Sequence, residues 1–225
     1  MREDIPTALE YETRSTNNCH GSRKGSMFII LGQSGIEDYE TSIEKFQDTQ
    51  SADRRSPHFL IGRESGQLAK MADINKKAWF AGTDSRWMHH TNLNKLSIMV
   101  CLCATEGQGY TEHQYDVLRN LIFQQMKQPI GNHNPNIVLS HQDVRPWRHW
   151  GVGPLFEWYR LIQKKQSVDW KPIPSAKTPW EALYEFGYRG SKKAVITAFQ
   201  TRFMASTITG KMDQLTENYI MGHTP

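Results

Sequence analysis

The chain has 225 residues, more than one small domain and less than two average ones at about 100–200 residues each. Its 27 basic and 23 acidic side chains leave a net charge of +4, too mild to argue for a nucleic-acid surface. Hydrophobic residues at 38% and aromatics at 11% exclude disorder as a description of the whole chain.

Residues 1–25 are polar and read as an extended arm. Residues 1–18 carry no basic segment followed by an apolar run, so no signal peptide is expected there. Ser26 to Leu31 is a short apolar run and predicts a buried strand. Ile36, Tyr39, Ile43 and Phe46 recur at helical spacing and predict a helix over 36–47. Residues 58–62 and 66–72 predict two strands around the turn at Arg63–Ser65, and 79–87 reads as irregular. Leu96 to Ala104 is the strongest strand and the longest apolar stretch. It is half of the ~20 residues a membrane helix needs, so no transmembrane segment is expected. Thr111 is placed to cap a helix over 111–127, with Tyr115, Leu118, Ile122 and Met126 as its stripe. A strand over 137–140 and a helix over 153–165, carrying Leu155, Trp158, Leu161 and Ile162, complete the alternation. Strands alternating with helices predict an α/β fold, a mixed sheet flanked by helices.

The pattern then changes. Residues 166–177 hold two prolines and read as a linker. Thr178 and Pro179 start a helix that stops at Gly187. Ser191 is placed to cap a second helix, with Val195, Ala198, Phe199 and Phe203 at helical spacing, and 212–221 predicts a third. The expected organisation is an arm (1–25), an α/β domain (26–165), a linker (166–177) and an independent three-helix bundle (178–225). Cys101 and Cys103 face the same side of one strand, which suits two core residues rather than a disulfide.

Four stretches, taken together in this order, resemble the zinc-dependent N-acetylmuramoyl-L-alanine amidases, relatives of the peptidoglycan recognition proteins. PHFLIGRESGQLAKMADINKKAWFAG (57–82), LNKLSIMVCLCA (93–104) and IVLSHQDVRPWRHWGVGPLFEW (137–158) are similar to the family's catalytic-domain blocks. FGYRGSKKAVITAFQTRFMASTITGKMDQLTENYI (186–220) is similar to a C-terminal peptidoglycan-binding repeat. The resemblance implies an amidase fold, zinc as cofactor, peptidoglycan as partner and a periplasmic or cell-envelope location. Envelope or secretion-apparatus proteins follow as further candidate partners; nucleic acid does not.

The family's zinc is held by a His at the end of the first strand, a second His and an acidic or Cys residue, and the open position activates water. Here the first position falls near Gln33, within 31–33, where there is no His. The second matches His141. The third matches Gly151, which has no side chain. The catalytic carboxylate matches Cys101, and a family Lys matches His149. The resemblance therefore implies the fold and denies the activity: a non-catalytic envelope protein with no cofactor expected. The alternatives are an active amidase with a substituted metal site, built from Cys101, His141 and His149, and an interaction module that no longer binds wall. His58, Trp147, Arg148 and Trp150 are the candidate ligand-binding residues; for Trp147 and Trp150, packing remains the equal alternative.

Overall fold

In the computed structural model, residues 9–127, 138–148 and 151–223 are described. A six-stranded sheet runs in the order β1-β5-β4-β9-β3-β10. These strands are β1 (Glu12–Thr13), β3 (Phe28–Gln33), β4 (Phe59–Ile61), β5 (Leu68–Lys70), β9 (Ser97–Leu102) and β10 (Val138–Ser140). β4, β9, β3 and β10 are mutually parallel, and β4 and β5 form an antiparallel pair around the expected turn. β2 (Cys19–Ser22) pairs with β6 (Lys76–Ala78), and β7 (Arg86–Trp87) with β8 (His90–Thr91). The arm thus differs from expectation. From residue 9 it is woven into the fold, because β1 adds to the sheet beside β5 and β2 covers β6.

β3 and β9 are buried along their whole length, as continuous apolar runs in a parallel sheet require. Their residues alternate between two cores. Ile29, Leu31, Val100 and Leu102 face α2 (Glu112–Lys127) through Tyr115, Leu118 and Ile122. Phe28, Ile30, Met99 and Cys101 face the other way, toward α1 (Tyr39–Gln47) with Ile43 and Phe46. Asp38 caps α1 by accepting from the Thr41 N–H at 2.8 Å, and Thr111 caps α2 by accepting from the Gln114 N–H at 3.2 Å.

Only residues 159–162 of the helix expected over 153–165 are helical, as α4 (Tyr159–Ile162). Upstream, Gly153 takes a φ of +73°, and the Glu157 N–H is spent on the Tyr115 hydroxyl at 2.7 Å. The α3 turn (His141–Val144) follows β10 directly.

The C-terminal helices are α5 (Pro179–Phe186), α6 (Lys192–Phe203) and α7 (Gln214–Met221). They do not form a bundle with a core of its own. Leu183, Tyr188, Val195, Phe199 and Ile220 belong to the same core as Phe28, Ile30 and Leu60 of the sheet. Residues 166–177 are packed rather than loose: Trp170 is buried against Phe199 and donates its indole N–H to the Ile220 carbonyl at 3.2 Å. The reason is the open edge of the sheet. β10 is a terminal strand, and a bare edge presents unpaired backbone groups. Arg202 of α6 donates to the Val138 carbonyl on that edge at 3.2 Å and forms a buried ion pair with Asp143 of α3.

Candidate functional site

The C-terminal ends of β9, β3 and β10 lie side by side, the place where parallel sheets collect ligands. Gly32 on β3 stands opposite Cys101 on β9, and Leu31 opposite Ser140, the last residue of β10. His141 follows immediately. Ser140 and Asp143 form a capping box that fixes the α3 turn and with it the His141 backbone.

The His141 ring is buried and packs edge-on against Phe80 at 5.6 Å. Its Nε2 lies 3.1 Å from the Phe80 carbonyl. A carbonyl only accepts, so Nε2 carries the proton and Nδ1 the lone pair. Nδ1 has no hydrogen-bond partner among the described residues. Burial, with Arg145 and Arg55 nearby, pushes the imidazole pKa down to about 3, so the ring is neutral. Burial pushes the Cys101 thiol well above its usual range, so it is protonated too. Two cations stand beside this row. Lys45 donates to the Ser34 carbonyl, just beyond β3, at 3.2 Å. Arg55 is buried, with its guanidinium 5.9 Å from the Phe46 ring and 3.5 Å from the Asp53 carboxylate. Both charges are felt at Cys101.

A three-donor zinc centre does not fit these residues. No His stands within 31–33, where Gln33 is the polar residue, and Gly151 offers no side chain. The seat of Gly151 is also filled: a Cβ there would come within 2.6 Å of the Ser140 hydroxyl and 2.8 Å of the Gln142 Cβ. A dication would also have to sit near the charges of Lys45 and Arg55. Among the described residues no three His, Cys, Asp or Glu side chains are grouped to hold a metal ion.

Over Gly151 opens a cleft of about 240 Å3, lined by Gln33, Gln142 and Gln108, with Thr197 and Thr201 from α6 on its far wall. Leu155 and Ile208 form an exposed apolar rim. The C-terminal helices therefore build part of the cleft.

With this geometry in place, comparison with known proteins is informative. Residues 23–154 match the N-acetylmuramoyl-L-alanine amidase family, more than half of the chain. The chain belongs to this family. Over 216 residues it is 26% identical to the N-acetylmuramoyl-L-alanine amidase AmiD of Escherichia coli, covering 80% of this chain and 76% of that protein. The crystal structure of AMPDH3 from Pseudomonas aeruginosa, solved with an anhydromuramic pentapeptide, superposes with a TM-score of 0.72 at 19% identity and covers 99% of this chain and 96% of that one. AmiD in complex with its substrate superposes with a TM-score of 0.70 at 21% identity, over 97% and 92% of the two chains. Both span the C-terminal helices, so the amidase fold with its helical region is the architecture of the whole chain.

The other residues singled out in the sequence are dispersed. His58, expected as a ligand-binding candidate, is fully buried, with Nε2 2.9 Å from the Lys76 carbonyl and Nδ1 accepting from the Met99 N–H at 2.9 Å. Both nitrogens are used in holding β4, β6 and β9 together, and none is left for a ligand. Trp147 is 38% exposed; its indole donates to Asp84 at 3.1 Å, and its ring lies against Gly190. Arg148 is exposed. His149 and Trp150 lie outside the described residues.

Sequence reading missed the buried charge network behind the site. Asp143 accepts from the Tyr188 hydroxyl at 2.7 Å, from the Ser140 N–H at 2.8 Å and from Arg202. Arg202 stacks on Trp158, 4.1 Å from the ring centroid. The Ser140-x-x-Asp143 spacing is a legible capping signal; its partners, 45 and 59 residues away, carry no local signature. Lys45 and Arg55 likewise sit in an ordinary helix and a polar loop.

Proposed function

We propose that this chain is a non-hydrolysing member of the amidase family that binds peptidoglycan in the cell envelope. The observation that carries the proposal is the seat of Gly151. The position aligned with a metal ligand holds no side chain, and the space a side chain would need is taken by Ser140 and Gln142. The absence of a His within 31–33 and the cations beside Cys101 support the same reading. One remaining imidazole cannot hold catalytic zinc, since zinc affinity is a sum over a full ligand set.

The cleft is what remains for function. AMPDH3 and AmiD were captured with anhydromuramyl peptides, and the side-chain amides and hydroxyls that line this cleft, alongside Glu106, suit the amide groups of such a ligand. Glutamine and threonine donate and accept at once, so they can pair with peptide N–H and C=O groups without a net charge.

A second reading, an active amidase with a rebuilt metal site, draws support from the buried His141 Nδ1, which has no hydrogen-bond partner among the described residues. Co-sedimentation with purified sacculi, followed by analysis of the soluble fraction, separates the readings. Retention on the pellet without released stem peptide is expected. Release of peptide that stops on His141→Ala overturns the proposal in favour of the enzyme. Absence from the pellet favours a third role, a protein-interaction module or scaffold within an envelope assembly.

A further inference from the structure

On the face of the C-terminal helices lies a second pocket of about 240 Å3, formed by α5, α6 and the turn between them. Trp180 and Tyr184 come from α5, Arg189 from the turn, and Lys192 from the first turn of α6. The two cations are stacked on rings. The Arg189 guanidinium lies 3.5 Å from the Tyr184 ring centroid, and the Lys192 ammonium 5.0 Å from that of Trp180.

Arg189 is also held by its backbone neighbours. Its Nη1 donates to the Tyr184 carbonyl at 2.8 Å and the Tyr188 carbonyl at 2.7 Å. That leaves the other edge of the guanidinium, Nε and Nη2, as a planar pair of donors. Such an edge matches the two oxygens of a carboxylate. No carboxylate among the described residues lines the pocket or pairs with either cation.

The start of α6 adds to this imbalance. Ser191 sits at the cap position but its hydroxyl accepts no capping bond, and the first turn holds Lys192 and Lys193 with no acidic residue. Positive side chains at the positive end of a helix are unfavourable, and uncapped N–H groups are satisfied by side chains, water or a ligand. The sequence places Ser191 as a cap, but in the structure its side chain makes no capping hydrogen bond.

We infer that this pocket binds a single carboxylate-bearing residue, with the Arg189 edge and the Lys192 ammonium taking the carboxylate and Trp180 and Tyr184 flanking its body. The volume suits one sugar or amino-acid residue rather than a longer segment, since pockets for larger ligands start at about 300 Å3. Only the source of the carboxylate rests on the wall-binding reading. Peptidoglycan carries carboxylates on its acid sugar and on its peptide, and both supply the same chemistry.

The test uses the full chain and three probes: N-acetylmuramic acid, its carboxylate-free counterpart N-acetylglucosamine, and the dipeptide L-Ala-D-Glu. Binding is followed by NMR shifts of residues 180–195 in the parent and in Lys192→Gln and Arg189→Gln. At least one acid should bind, and the uncharged sugar at least about tenfold more weakly. Lys192→Gln should weaken the acid several-fold, and Arg189→Gln about tenfold or more, as expected for a charged hydrogen-bonded pair. Lys192 is exposed, so its variant tests the pocket even if Arg189→Gln fails to fold. Which acid binds assigns the source. Equal binding of the uncharged sugar, no binding of either acid, or affinity unchanged in Lys192→Gln overturns the inference. Sacculus retention beside a failed pocket test leaves the wall-binding reading intact. Acid binding without sacculus retention upholds the pocket and removes the wall as its source.

Discussion

Replacing Arg202 by Met tests whether the C-terminal helices and the sheet are one folding unit. Arg202 and Asp143 are almost wholly buried and paired, and Arg202 also donates to Val138 and Ser167. Met keeps much of the apolar bulk but leaves the Asp143 charge without its counter-ion and the Val138 edge carbonyl without its donor. Breaking one partner of a buried pair costs about 3–5 kcal/mol. The Tyr188 hydroxyl and the Ser140 N–H still donate to Asp143, which places the cost toward the lower end. For a chain of this size each kcal/mol shifts Tm by about 2–4 °C, so at about 3 kcal/mol a fall of about 6–12 °C is expected. Thermal melts and urea titrations read it. The double variant Asp143→Asn with Arg202→Met removes the stranded charge, and it should regain a good part of the loss. A single variant within about 1 kcal/mol of the parent would refute the reasoning. So would two separate unfolding steps in the parent, one for each half.

Gly151→Asp, the substitution that would restore an acidic ligand, should destabilise the chain by about 1–3 kcal/mol without conferring zinc-dependent turnover, because its Cβ meets Ser140 and Gln142; a stable, zinc-binding variant would contradict the crowding. Gly187→Ala should be worse tolerated, since Gly187 has a φ of +139° and its Cβ would fall within 2.4 Å of the Trp87 ring; chemical denaturation measures the loss. Stability should also fall as pH drops below about 6.5. His58 is held neutral by burial, with its pKa pushed down to about 4. The unfolded chain then binds a proton that the folded chain does not, so this group's contribution is complete above the unfolded pKa and lost toward pH 4, at up to about 1.4 kcal/mol per pH unit. Urea midpoints in the parent and in His58→Gln should differ in their pH slope over that window, and equal slopes would count against it.

Much of the fold is legible because periodicity and caps are local. The continuous burial of β3 and β9, the Tyr115, Leu118 and Ile122 stripe of α2, and the Thr178 and Gly187 signals around α5 all lie where the sequence puts them. Elements fixed by distant partners are not. β1 and β2 are polar and short, and exist because β5 and β6 are there to pair with. The helix pattern over 153–165 fails upstream because Tyr115, in another helix, takes the Glu157 N–H and Gly153 turns the chain left-handed. The prolines of 166–177 read as a linker, yet Trp170 anchors that segment in the core. At the site, the matched positions Gly151, Cys101 and His141 follow from the family resemblance. That Gly151 is crowded, and that Lys45 and Arg55 stand beside Cys101, needs three-dimensional packing to see.

A non-hydrolysing member of the amidase family should neither hold catalytic zinc nor cut peptidoglycan. The most direct measurement is zinc stoichiometry by elemental analysis after dialysis against excess zinc, on the same sample assayed for release of stem peptide from muropeptides. Much less than one zinc per chain and no release are expected. One zinc per chain, with turnover abolished by a chelator and by His141→Ala, would contradict it.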